Sequence, residues 1–179
     1  MADVHAGEVT RSLHKLKFGI RTDITERFAT GDEPGRADQM IVKNGLGGYI
    51  EIKSAKTSFN FSDLRDNQRE WIEQEAYANS KCRVWLWLFL GKNPPNYDPQ
   101  KYLPRRAWLV EYWDWLAIED VIKPIQNSLP YRAGKGYAKE MQGRCLDAET
   151  LLQGHVLTWS GAGVWTIDPT HPFASAFSL

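Results

Sequence analysis

Cysteine is scarce in this chain. Only Cys82 and Cys145 occur among its 179 residues. They form no CxxC pair and have no histidine pair nearby, which argues against a zinc ribbon or a dithiol redox motif and fits a reduced intracellular protein. Histidine is equally sparse: His5, His14, His155 and His171 are scattered without metal-ligand spacing, so surface or capping roles are expected of them. Neither sign of charge is in excess, since 22 Lys and Arg balance 22 Asp and Glu. Bulk basicity therefore points to no polyanionic partner. The longest apolar run, Val84 to Leu90, is far shorter than the roughly 20 residues that span a bilayer. The opening MADVHAGEVTRSLHK also lacks an apolar signal-like stretch. These absences predict a soluble, cytoplasmic protein with no membrane partner.

Aromatic residues, by contrast, are abundant. There are eight tryptophans, seven tyrosines and seven phenylalanines, with a cluster between Trp71 and Trp115, and most of them are expected in a core. With 42% hydrophobic content, residues 1–179 suffice for one compact domain that needs no disulfide. Val9, Leu13, Leu16 and Phe18 give a short helical pattern over Val9 to Phe18. Thr22 to Ala29 reads equally as strand or helix, and Gly31-Asp32-Glu33-Pro34-Gly35 is turn chemistry. Strands are predicted at Ala37 to Lys43 and Tyr49 to Ala55, joined as a hairpin by the glycine-rich Asn44 to Gly48.

A polar helix is predicted over Ser62 to Asn79, with Leu64, Trp71, Ile72 and Ala76 on its packing side and Ser62 or Asp63 as N-cap. Val84 to Leu90 is apolar at every position, as expected of a central strand buried on both faces. A further strand follows over Ala107 to Tyr112, then short helices at Trp113 to Ile122 and Asp147 to Leu152. Strand-like pieces appear at Val156 to Trp159 and Val164 to Ile167. The expected architecture is α/β, a mixed sheet of four or five strands flanked by helices.

The hairpin carries the chemistry. Strand side chains alternate faces, so Tyr49, Glu51 and Lys53 share one face while Ile50 and Ile52 turn into the core. The hairpin brings Asp38 alongside Glu51. Two carboxylates completed by water and phosphate oxygens suit a hard cation such as Mg²⁺ (or Mn²⁺), which keeps several waters. An enzyme that gathers carboxylates around such a cation has no need of overall basicity, because the metal itself draws phosphate. Lys53 would place a positive charge beside the reacting phosphate.

Asp38, twelve intervening residues and then Glu51-Ile52-Lys53 at the end of a hairpin resemble the PD-(D/E)xK nuclease superfamily, with Ala37 where a proline is usual. Gln68, in the helix after the ExK strand, is similar to a glutamine of RecU-like Holliday-junction resolvases and virus-type replication-repair nucleases. The resemblance spans roughly residues 8 to 90. It implies a restriction-endonuclease-like core and a metal-dependent DNA endonuclease with Asp38, Glu51, Lys53 and Gln68 as catalytic residues. It also implies a metal shell of Asp38 and Glu51 completed by a glutamate from the first helix, with Glu8 the closest in position and Glu26 the alternative. A resolvase among such relatives would act on branched DNA as a homodimer.

Residues 91–179 would complete the sheet and supply DNA contacts. Arg132, Lys135, Lys139 and Arg144 lie in a glycine- and tyrosine-containing segment with one acidic residue, and Lys56, Arg65 and Arg69 flank the hairpin site. Two other readings compete. One is a restriction- or repair-type nuclease on duplex DNA; the other is a catalytically inactive binding module of the same fold.

Overall fold

The computed structural model describes residues 4–21, 37–91, 105–130 and 146–179. The ambiguous Thr22 to Ala29, the turn at Gly31 to Gly35, Glu26, Cys145 and the basic segment with Arg132, Lys135, Lys139 and Arg144 lie outside the described residues.

The architecture is α/β. A helix, α1 (Val4–Lys15), precedes strands β1 (Gly19–Arg21), β2 (Gln39–Lys43), β3 (Leu46–Ala55) and β4 (Ser58–Asn60). A 3-10 turn (Phe61–Asp63), α2 (Asp66–Trp71) and a π-helix (Ile72–Asn79) lead into β5 (Arg83–Leu90). There follow β6 (Arg106–Glu111), α3 (Tyr112–Ile122), β7 (Ser128–Pro130), α4 (Ala148–Leu151), β8 (Val156–Gly161), β9 (Val164–Thr166) and α5 (Pro172–Phe177). The main sheet has seven strands in the order β1-β2-β3-β5-β6-β8-β9, rather than the four or five expected, and β4 pairs with β7 in a separate ribbon. The difference comes from three-residue edge strands such as β1, too short to show alternation, and from the two tail strands, which join the same sheet. Among the pairs of the main sheet only β3 and β5 run parallel, and parallel neighbours require a crossover, here built from β4, α2 and the π-helix.

β5 organises the interior. Val84, Leu86, Leu88 and Leu90 point to one face, where they meet Phe59, Phe61, Leu64, Ile72, Trp108, Trp115 and Ile122. Trp85, Trp87 and Phe89 point to the other, against Val9, Leu13, Ile41, Ile50, Trp165, Phe173 and Phe177. Two cores on opposite faces of one strand are the physical meaning of its unbroken apolar run. The tryptophans at 85, 87, 108 and 115 are buried as expected, while Trp113 is 46% exposed on α3.

Local chemistry explains where the elements differ from the predicted ones. The hairpin turn is only Asn44-Gly45, both at positive φ (52° and 78°), the favoured two-residue geometry for the twist of paired strands. Gly47 and Gly48 belong to β3. A Cβ on Gly48 would lie 3.0 Å from the ring of Phe177 and 3.2 Å from the Arg83 carbonyl, so the glycine admits both α5 and β5. The single helix expected from Ser62 to Asn79 is three pieces, and α2 starts after Arg65, not after Ser62 or Asp63. Asp63 is used instead within the 3-10 turn, where its carboxylate accepts from the Asn60 N–H at 3.0 Å.

Asp147 caps α4 by accepting from Thr150 N–H at 2.8 Å, and His171 caps α5 by accepting from Phe173 N–H at 3.0 Å. The capping role expected of a histidine therefore holds for His171, which is buried, not on the surface.

Gly48→Ala should destabilise the fold by about 1–3 kcal/mol, because the Arg83 carbonyl is backbone and cannot step aside. Gly154, whose added Cβ meets nothing within 4 Å, is the control. Urea denaturation of both variants checks the difference, and equal midpoints would count against this packing.

Candidate active site

Continuing the β2–β3 register by one pair beyond Gln39↔Ile50 sets Asp38 opposite Glu51. The Asp38 carboxylate accepts from the Ile52 N–H at 2.6 Å, which fixes it against β3 at the mouth of the hairpin. Glu51 and Lys53 stand on the face that β5 continues with Leu86 and Leu88, their register partners. That face is covered by α2.

Tyr49, on the same face, meets Trp71 edge-on at 5.1 Å between ring centroids. With Trp71 over Tyr49, a residue one helical turn earlier falls over the next same-face positions, Glu51 and Lys53. That residue is Gln68. Its amide Nε2 donates to Glu51 Oε1 at 2.7 Å, and its Oε1 accepts from Lys53 Nζ at 3.0 Å. Lys53 Nζ also lies 2.8 Å from Glu51 Oε1, which closes a three-membered ring of contacts. Gln68 Oε1 further accepts from the Arg65 N–H at 3.2 Å, so the same side chain ties down the first turn of α2.

The electrostatics follow from burial. Glu51 is only 3% exposed, and its pKa is pushed from 4.5 to about 7, chiefly by desolvation and next by the negative charge of Asp38. Lys53 and Gln68 pull it back down in part. Both of their contacts fall on Oε1, leaving Oε2 for another positive partner.

Among the described residues no group of three or more His, Cys, Asp and Glu is arranged to hold a metal. The carboxylates that converge are the Asp38–Glu51 pair, a donor set that suits a hard, water-retaining cation rather than zinc.

The other predicted residues are not brought to this pair. Glu8 sits on α1, which packs on the opposite face of the sheet through Val9 and Leu13. Its two oxygens lie 2.8 and 2.7 Å from the Arg105 guanidinium, and Trp165 Nε1 donates to Oε2 at 3.1 Å. Arg69 is a tie between elements: it donates to the carbonyls of Leu64 (3.0 Å) and Phe61 (2.9 Å) and to Glu119 of α3 at 2.7 Å. Lys56 and Arg65 are exposed on the β3–β4 bend and at the start of α2. His14 is exposed on α1. Sequence reasoning missed Arg105, whose partner Glu8 lies 97 residues earlier, and Glu119, whose partner Arg69 lies 50 residues earlier; no local pattern signals such pairings.

No protein-family model matches the chain, and no curated protein matches it.

The raised pKa of Glu51 has a stability consequence with a definite sign. Between pH 4.5 and about 7 the folded chain holds a proton that the unfolded chain has lost. The corresponding stability is complete below pH 4.5 and is lost as pH rises through 7. At pH 8 the buried charge then costs about 3 kcal/mol. In chelator, Glu51→Gln should be more stable than wild type by about 2–3 kcal/mol at pH 8 and nearly equal to it at pH 4.5. Urea midpoints at the two pH values test this; an identical difference at both would rule out the buried-carboxylate explanation.

Proposed function

We propose that the protein is a metal-dependent DNA endonuclease that hydrolyses phosphodiester bonds, built on a restriction-endonuclease-like core. The observation that carries the reading is the ring of contacts joining Glu51, Lys53 and Gln68, with Asp38 set opposite on the neighbouring strand. A pair of carboxylates on neighbouring strands, a half-buried lysine on one of them and a glutamine that bonds to both Lys53 and Glu51 is a costly arrangement for an incidental surface, because Glu51 is almost wholly desolvated.

Asp38 and Glu51 would hold Mg²⁺ or Mn²⁺. Such a cation lowers the pKa of a coordinated water and neutralises charge on phosphoryl oxygens. Glu51 would hold the cation as its carboxylate, the cation taking the place of the proton that burial beside Asp38 otherwise favours. Lys53 keeps its ammonium at the edge of the site, 19% exposed, where it meets the phosphate or the attacking water. Gln68 is a positioning residue: its amide donates to Glu51 and accepts from Lys53, which fixes the orientation of the ion pair the two already make. Resolution of branched DNA, with the homodimer it would require, remains the narrower form of this proposal and rests on the resemblance of Gln68 and the Asp38…Glu51-Ile52-Lys53 pattern. A nuclease acting on linear duplex uses the same residues.

In Mg²⁺ or Mn²⁺ the wild type should nick plasmid or cut a four-way junction, and Lys53→Ala should lower the rate by about 10²–10³-fold. Asp38→Ala should lose both cleavage and the calorimetric heat of Mn²⁺ binding. Equal, negligible heats in wild type and Asp38→Ala would favour the inactive binding module. A junction cut no faster than its linear arms would favour the duplex nuclease.

A further inference from the structure

A groove of about 510 Å³ opens beside the site, walled by Ser62, Leu64, Arg65, Arg69, Lys123 and Asn127. It adjoins the site across one residue. Leu64 lines both this groove and the narrow crevice that holds Lys53, Asn60 and Asp63. Within α2, Gln68 turns towards Glu51 and Lys53, while Arg69, its neighbour, turns into the groove.

Two cations of the groove, Arg69 and Lys123, are held from below, while Arg65 is exposed at its rim. Glu119 of α3, 3% exposed, accepts from Arg69 Nη2 at 2.7 Å and from Lys123 Nζ at 3.2 Å. Arg69 is further fixed through Nε on the Leu64 carbonyl and Nη2 on the Phe61 carbonyl. None of these bonds uses Nη1. Lys123 is 64% exposed and spends one of its three donors on Glu119. Asp66 is the carboxylate on the wall, against Arg65, Arg69 and Lys123. Ser62 and Asn127 add neutral donors. The dimensions suit one nucleotide-sized group, and a guanidinium fixed at several points, as Arg69 is, loses little entropy in binding it.

We propose that this groove binds a backbone phosphate that flanks the scissile phosphate on the same nucleic-acid strand, with Lys123 and Arg65 as the direct contacts and Arg69 as a fixed guanidinium at its floor. The inference rests on the nuclease reading and extends it by giving the strand a path from Lys53, past Leu64, to α3. Contacts of this kind position the substrate without reading its bases, so they act alike on any sequence.

The test is fluorescence anisotropy of the full-length protein with a fluorescein-labelled DNA duplex, its single strand, and fluorescein-labelled nucleoside monophosphate, in Ca²⁺ across a salt series. Lys123→Glu and Arg65→Glu should each weaken binding of either DNA by about 5–20-fold. Lys123→Gln should lower the slope of log K against log [salt] by about 1. Lys15→Glu, an exposed charge on the opposite side of the sheet, should leave both unchanged.

A groove that takes free nucleotide and not a strand would bind the monophosphate as tightly as the DNA, and that outcome overturns the proposal. So does an affinity and salt slope in Lys123→Glu equal to wild type, or an equal loss in Lys15→Glu. The two readings separate cleanly. If wild type binds DNA through Lys123 but never cuts it, the groove stands and the nuclease fails. If Lys123→Glu cuts and binds like wild type, the nuclease stands and the groove fails.

Discussion

A strand that is apolar at every position has no side to offer water, and β5 is such a strand: Val84 through Leu90 are all buried. Each face of it must be covered, so its sequence demands two layers before any helix is placed. Leu86 and Leu88 collect α2, the π-helix and α3 on one side, and Trp85, Trp87 and Phe89 collect α1 and α5 on the other. Pairing with β3 then has a consequence for the candidate site. Parallel register puts Glu51 beside Leu86 and Lys53 beside Leu88, so two charged residues are drawn to the margin of a hydrophobic layer. Their burial is a result of the same packing that stabilises the sheet.

That placement works against stability unless something compensates it. A carboxylate 3% exposed beside a second carboxylate raises its own pKa to about 7, which means the fold prefers Glu51 neutral until a positive partner arrives. Lys53 supplies part of that charge compensation and Gln68 a neutral hydrogen bond, both at Oε1. Sites that bind ions commonly carry this tension between function and stability, and the sequence-level rule that strand positions alternate is what sets it up.

The parts of this arrangement that could be read from the sequence are those governed by local periodicity. Alternation alone assigned Tyr49, Glu51 and Lys53 to one face, and the unbroken run from Val84 identified the central strand. The Asn44-Gly45 turn is legible too, but Gly47 and Gly48 read as part of the connection, because a glycine looks the same in a turn as in a strand that must accept a close neighbour. The neighbour here is Phe177, more than 120 residues away. The start of α2 differs from the predicted one for a related reason. Ser62 and Asp63 have N-cap chemistry, but Asp63 is spent on Asn60, and the helix begins where Gln68 can reach back to Arg65. β1, β4 and β7 are each three residues long, shorter than any pattern that alternation can reveal.

Glu8 shows where position in the chain ceases to be informative. A glutamate on a first helix can turn to a metal site at the sheet's edge or into the layer beneath it, and helical periodicity between Val9 and Leu13 permits either. Arg105 decides the matter. Its guanidinium stacks 4.4 Å from the Phe89 ring centroid and grips both oxygens of Glu8, while Trp165 adds a third donor. A carboxylate so fully supplied with hydrogen bonds is a structural anion. It ties α1 to β9 and to the residue just before β6, and removing either member of the Glu8–Arg105 pair would strand a buried charge at a cost of about 3–5 kcal/mol. With Glu8 committed there, the described carboxylates at the hairpin are Asp38 and Glu51, and a cation held by that pair would draw the rest of its shell from water and substrate oxygens, the mode of coordination that Mg²⁺ favours.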